Sequence, residues 1–119
     1  MQKKDIWNRS FIAALQIIRL TKEFPQTQEA KIIVRQIIRS ATSVGANISE
    51  ASAGLSKKEF TSFMNIARRE AIETDYWLRL SYELSLANRE KIVVIGRAYQ
   101  EIIKIVSTIV KNSLQKPKE

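Results

Sequence analysis

The chain of 119 residues has no cysteine and no histidine, and only three glycines and two prolines. Without cysteine there is no disulfide, no thiolate nucleophile and no sulfur metal ligand, a composition compatible with a reducing compartment. Without histidine the usual proton shuttle near neutral pH is missing. So are the Ser-His and Cys-His catalytic pairs and the Glu-x-x-His ligand sets of metal-carboxylate bundles. A carboxylate-only magnesium site or a Ser-Lys pair would survive these absences, but no clustered acidic motif accompanies them. The expectation is a protein that is not an enzyme and holds no metal or cofactor. No stretch of eighteen apolar residues occurs, and no basic leader precedes an apolar run with a small-residue cleavage site. A cytoplasmic protein with no membrane partner is therefore expected.

The scarcity of helix breakers leaves room for long helices. Between Ala30 and Leu55, the residues Ala30, Val34, Ile37, Ala41, Val44, Ile48, Ala51 and Leu55 alternate four- and three-residue steps, a heptad stripe that a long helix packed on other helices requires. Trp7, Phe11, Leu15 and Ile18 lie on one stripe of the first helix, and the alternating spacing runs through Phe60, Met64, Ala67, Ala71, Thr74 and Leu78 and through Ile92, Ile95, Tyr99, Ile102, Val106 and Ile109. Phe24-Pro25 stops the first helix, Thr27 can cap the second and Gly54 end it. Ser56 with Glu59 forms a capping-box pattern for the third, Asn88 caps the fourth, and the chain frays before Pro117. Four helices over about 5–23, 28–53, 57–86 and 89–114, joined by short connections, must fold back on one another. The predicted fold is one all-α domain, an antiparallel up-and-down four-helix bundle over residues 1–119. Gly45 and Gly96 fall inside helices, where each costs about 1 kcal/mol relative to alanine, so each is expected to admit a close neighbour.

The formal charge is +8, and its excess sits at the two ends of the chain. Residues 1–24 hold five Lys/Arg against two acids, and residues 87–119 hold seven against three. First and last helices are neighbours in such a bundle, so these charges are expected to merge into one basic side facing phosphates or an acidic protein. The leading candidate for a nucleic-acid surface is Lys31, Arg35 and Arg39, which follow one another at four-residue steps with no acid three or four residues away. Arg97, Lys104 and Lys111 form a rival row, ranked lower because Glu101 lies within helical reach of Arg97 and Lys104. Arg9, Arg19 and Lys22, with Lys57 and Lys58, extend either surface. No zinc-finger or helix-turn-helix pattern accompanies them, so backbone charge and shape would dominate any binding.

Two further groupings carry weight. Asn47 and Glu50 lie three apart on one flank of the second helix, and a hydrogen-bonded network with Arg68 or Arg69 that fixes helix register is expected there. On the same helix, Ser40 to Gly54 is built of small residues around Val44 and Ile48. Ala46, Ala53 and Ile32 fall on the outward face, which suits contact with another subunit. Tyr76, Trp77 and Tyr82 are aromatic at helical spacing, which favours core or interface packing over base stacking.

Three segments carry a family resemblance: Phe24-Pro25, QIIRSATSVGANISEA from Gln36 to Ala51, and SKKEFTSFMNIARREAIETDYWL from Ser56 to Leu78. Their most specific parts are Asn47-Ile48-x-Glu50, Lys58-Glu59-Phe60-x-x-Phe63 and Glu73-Thr74-x-Tyr76-Trp77-Leu78. The chain resembles the four-helix-bundle proteins encoded in 23S ribosomal RNA intervening sequences, a broad family that also takes in the accessory variability protein of diversity-generating retroelements. The resemblance implies a homopentamer arranged as a barrel, a positively charged surface that binds RNA or DNA, and no catalysis or cofactor. In the retroelement branch it implies binding to a reverse transcriptase. The expected function is a non-catalytic oligomeric adaptor for nucleic acid, RNA first. A protein-interaction scaffold docking a partner such as a reverse transcriptase is the alternative.

Overall fold

The computed structural model describes residues 3–115, so the expected fraying before Pro117 lies outside the described residues. Four helices, α1 (Lys3–Thr21), α2 (Gln28–Ala53), α3 (Lys57–Glu83) and α4 (Arg89–Leu114), account for nearly all of them, and no strand is present among them. Each helix packs on the next, and α1 also packs on α4, while the backbones of the diagonal pairs stay apart. The result is a square up-and-down bundle of 56 × 21 × 19 Å.

Local chemistry sets the helix ends. Thr27 Oγ1 accepts the Ala30 N–H, Ser56 Oγ accepts the Glu59 N–H and Asn88 Oδ1 accepts the Lys91 N–H, each satisfying one otherwise orphaned donor of a first turn. The Glu59 carboxylate reaches back to the N–H of Leu55, one residue before the cap. Gly54 ends α2 in an extended conformation, its N–H on Ala51 O, and a side chain there would press on Ala51 O and Glu59 Cβ. The third helix stops at Glu83 and not Leu86. Ser85 takes a left-handed φ of 52°, its N–H bonds Tyr82 O, and the Leu86 N–H bonds Ser81 O, the paired bonds of a Schellman turn. That turn tucks Leu86 into the core.

The core follows most of the expected stripes on three helices, but Ile33 is buried in place of Val34 and Val110 in place of Ile109, the expected residues being half-buried. Ile33, Ile37, Val44 and Ile48 of α2 meet Met64, Ala67, Ala71 and Leu78 of α3 and Ile92, Ile95, Ile102 and Val106 of α4. Leu55 departs from the expected stripe. It lies beyond the end of α2 and is 96% exposed. On α1 the expected stripe is replaced by its neighbour: Ile6, Ala13, Ile17 and Leu20 are buried, whereas Trp7 and Phe11 lie at the surface and Leu15 and Ile18 are half-buried. The physical reason is that α1 is apolar on two adjacent faces, and Ser10 packs where Gly45 lets α2 come close; a Cβ on Gly45 would stand 3.4 Å from Ser10 Oγ. Gly96 has no such neighbour, since a Cβ there would meet nothing within 4 Å. A side chain at Gly45 would thus meet Ser10 at contact distance, whereas nothing approaches Gly96.

Polar groups inside the bundle are few. Thr74 Oγ1 lies 2.8 Å from Ser40 Oγ and 2.9 Å from Glu70 O, tying α3 to α2. The Tyr99 hydroxyl is buried with no hydrogen-bond partner, and burial pushes its ionisation well above the usual tyrosine range.

Candidate nucleic-acid interface

Helical periodicity places cations in rows, and the packing of neighbouring helices decides which rows keep their charge. Arg39 does not. Its guanidinium bridges Glu70 at 3.1 Å and Glu73, both on α3, while its Nε donates to Gln36 Oε1 at 3.1 Å. Glu73 also accepts the Trp77 indole N–H at 3.0 Å. That bond, with Arg39, holds the Glu73 carboxyl below its ordinary range, and Glu73 in turn raises the Arg39 guanidinium. Arg39 is thus a clamp between α2 and α3. Only Lys31 and Arg35 of the expected α2 row are exposed without an ion pair among the described residues, beside a shallow groove of about 460 Å³ that includes Phe24 and Pro25.

The α4 row is in the opposite condition. Arg97, Lys104 and Lys111 are exposed, and none pairs with Glu101 or any other acid among the described residues. Their seven-residue spacing keeps them on one face of α4, the outward face opposite buried Ile95, Tyr99 and Ile102, and Arg97 there borders a groove of about 380 Å³ between α3 and α4. Asp75 and Arg79 line the α3 wall of this groove and bond each other at 2.9 Å. Arg68 lies seven residues before Asp75, so it shares that flank; its Nε donates to Asn65 Oδ1. At the α3–α4 turn the Arg89 guanidinium sits 4.7 Å from the Tyr82 ring centroid and its Nε donates to Tyr82 O. From Arg89 to Lys111 the helix rises about 33 Å, so α4 carries beside this seam a long run of cations that, Lys91 apart, form no ion pair among the described residues. Glu83 on the rim of the seam, Glu90 beside Arg89 and Arg97, and Glu101 are the acids beside this run with no ion pair among the described residues.

The cations of α1 do not join this row. Arg19 borders the groove of about 630 Å³ between α1 and α4, where Glu23 accepts Lys91 Nζ at 2.6 Å and the Asn88 N–H at 3.2 Å. The Lys91 bond, seconded by that backbone N–H, holds the Glu23 carboxyl below its ordinary range. Arg9 and Lys22 are exposed on α1, as are Lys57 and Lys58 at the start of α3. The first and last helices are neighbours, and Arg19 and Lys91 share this groove with Lys91 bound to Glu23, whereas Arg97 borders the α3–α4 groove.

The expected Asn47–Glu50–Arg68 network does not form. Asn47 Nδ2 donates to Ser43 O and Ser43 Oγ within its own helix, Glu50 is exposed, and Arg68 lies on the flank of α3 that faces α4. Of the aromatic residues, Tyr76 is 56% exposed and meets Trp77 edge to face at 4.9 Å, while Trp77 and Tyr82 are half-buried. Arg89 was not among the candidates. Its signal was a tyrosine seven residues earlier, across a turn short enough to bring the two together.

A second surface of different character lies between α1 and α2. Trp7 and Phe11 stack at 5.0 Å, and the Trp7 indole donates to Ser49 Oγ at 2.6 Å. With Ala14, Leu15, Ile18 and Ala46 they line a groove of about 320 Å³ that contains no charged residue. Ile12 and Ile32 are about half exposed on the outer faces of α1 and α2.

Among the described residues no three acidic side chains converge as a metal site would need, and no helix is long and apolar enough to cross a membrane. A family model described as 23S rRNA-intervening sequence protein matches residues 2–108. No curated protein matches the chain. Among solved structures, the chain is similar to a protein of unknown function from the S23 ribosomal protein family of Bacteroides thetaiotaomicron. Identity is 36%, the match covers 93% of this chain and 99% of that one, and the TM-score is 0.83.

Proposed function

We propose that this chain, which belongs to the 23S rRNA-intervening sequence protein family, is a non-catalytic, oligomeric adaptor that binds nucleic acid, RNA first, through the α3–α4 seam. One observation carries the reading: Arg97, Lys104 and Lys111 stand in a row on the outward face of α4 beside that seam with no acid bound to any of them among the described residues, and Arg68 and Arg89 lie at the seam. Cations left free along about 33 Å of surface suit a phosphodiester backbone, which supplies negative charge at regular intervals. Lys31, Arg35, Arg19, Lys22 and Arg9 extend the field without lying in the row. No cofactor takes part, and the cytoplasm, where RNA is at hand, is the proposed location.

The uncharged groove lined by Trp7, Phe11 and Ala46 supports assembly, because apolar surface rimmed by polar residues is the usual mark of protein contact. A homopentameric barrel is the assembly the family resemblance implies. The same groove favours the second reading, a scaffold that docks a protein such as a reverse transcriptase, as in the retroelement relatives the sequence resembles.

Light-scattering mass, alone and with a structured RNA across a salt series, tests the proposal. An oligomer is expected whose RNA affinity falls by about 0.7 to 0.9 log units per log unit of salt for every phosphate engaged. An oligomer that ignores RNA at every salt concentration would move the assignment to a protein scaffold, and a monomer would remove the assembly.

A further inference from the structure

Gly96 costs α4 stability and returns nothing to the fold. A glycine inside a helix is unfavourable relative to alanine, and the usual compensation is a neighbour that needs the space. Here an added Cβ would meet no atom within 4 Å. What the missing side chain does is keep a slot open. The floor of that slot is apolar, with Leu78 and Ile92 buried beneath it and Val93 at its side. Its mouth is cationic: Arg97 stands beside it, and Arg89, held against the Tyr82 ring, stands at its turn end. Arg79 is neutralised by Asp75, while Glu83 and Glu90 are acids on the rim with no ion pair among the described residues.

Resting on the nucleic-acid reading, we propose that the Gly96 slot receives an unpaired nucleobase, so that the chain prefers single-stranded or bulged nucleic acid to a continuous duplex. An apolar-floored recess next to the guanidinium groups of Arg97 and Arg89, neither bound to an acid among the described residues, matches the two halves of one nucleotide, a ring that is buried by stacking or van der Waals contact and a phosphate that pairs with arginine. A duplex keeps its bases stacked and would meet only the cations. A side chain from a second copy is the poorer occupant, since the mouth of the slot adds positive charge to a surface that is already positive overall.

The test compares the full chain with Gly96→Leu, which fills the slot with a good helix former, using fluorescence anisotropy at low salt. Two probes are used: an unstructured single-stranded RNA and the duplex RNA of the same sequence. Gly96→Leu is expected to weaken single-strand binding at least tenfold and duplex binding less than twofold, with oligomeric mass unchanged and melting temperature equal or higher. Gly96→Ala, the milder variant, is expected to fall between on single strands and to melt higher. Equal losses on both probes, no loss on either, or a change in mass on filling the slot would overturn the slot assignment while leaving RNA binding in place. Failure of the unsubstituted protein to bind either probe would overturn the nucleic-acid reading itself, and the slot assignment with it.

Discussion

Helices α2 and α4 each carry three cations at regular spacing, and the two rows meet opposite ends. In α2, Arg39 is drawn across to α3 and bonded to Glu70 and Glu73, leaving Lys31 and Arg35 as an isolated pair near the α1–α2 turn. In α4, Glu101 sits between Arg97 and Lys104 on the same helix yet bonds neither, and the whole row stays free. The helix that had an acid within reach kept its charge, and the one that had none lost part of it. Neutralisation in a bundle is decided across the helix seam at least as much as along the helix.

The contrast can be broken most directly by removing charge. Replacing Arg97, Lys104 and Lys111 together with Gln is expected to lower RNA affinity by two orders of magnitude or more at low salt and to flatten its salt dependence by about two to three phosphates. Arg39→Gln is expected to leave both nearly unchanged. A reversal of these outcomes in an anisotropy titration would show that α2 holds the interface. Stability should respond the other way round. Arg39→Gln opens a clamp that is half exposed, so screening holds its loss to about 1 kcal/mol in urea unfolding, whereas the α4 triple variant should stay within about 0.5 kcal/mol of the parent.

Acid sharpens the comparison. Glu73 has a folded-state pKa below the ordinary 4.5, so its contribution is fully present above that value and is lost as pH falls from 4.5 through the lower folded one. Urea midpoints measured between pH 6 and pH 3 should therefore converge for the parent and Arg39→Gln at the acid end. A constant gap would assign the stabilisation to packing of the Arg39 stem. The smallest effect is expected at Glu101. Glu101→Gln removes a like-sign neighbour of the phosphates and should raise RNA affinity about twofold, in line with the few tenths of a kcal/mol of such helical charge pairs.

The helical architecture was legible because three of its signals are local. Thr27, Ser56 and Asn88 announce the starts of α2, α3 and α4 through oxygen atoms that meet N–H groups three residues on. The stripes of α2, α3 and α4 hold over most of their length, but where apolar residues adjoin, as at Ile33–Val34 and Ile109–Val110, the buried one is the neighbour of the one expected. In α1 the whole stripe is displaced in this way. Ile6 and Trp7, Ile17 and Ile18 are adjacent pairs of apolar residues, and only the close crossing of Ser10 and Gly45 decides which of each pair turns inward. The end of α3 was hidden because Ser85, a residue without glycine's freedom, adopts the left-handed turn.

The candidate site was legible as a list of cations and not as a surface. Arg39 meets its acids 31 and 34 residues away in the chain, a separation no helical spacing rule addresses. The α3 flank that completes the seam depends on register between α3 and α4, which the Schellman turn and the Tyr82–Arg89 contact set. Gly96 was visible as an anomaly, but its use became clear only once the space beside it proved empty.

A lysine-reactivity footprint tests the central claim most directly: the intact protein is acetylated with and without a structured RNA at low salt, and modification at each lysine is read by mass spectrometry. If the α3–α4 seam is the nucleic-acid face, Lys104 and Lys111 are protected strongly while Lys57 and Lys58 change little. Protection confined to Lys22 and Lys31, with Lys104 and Lys111 as reactive as in the free protein, would contradict it.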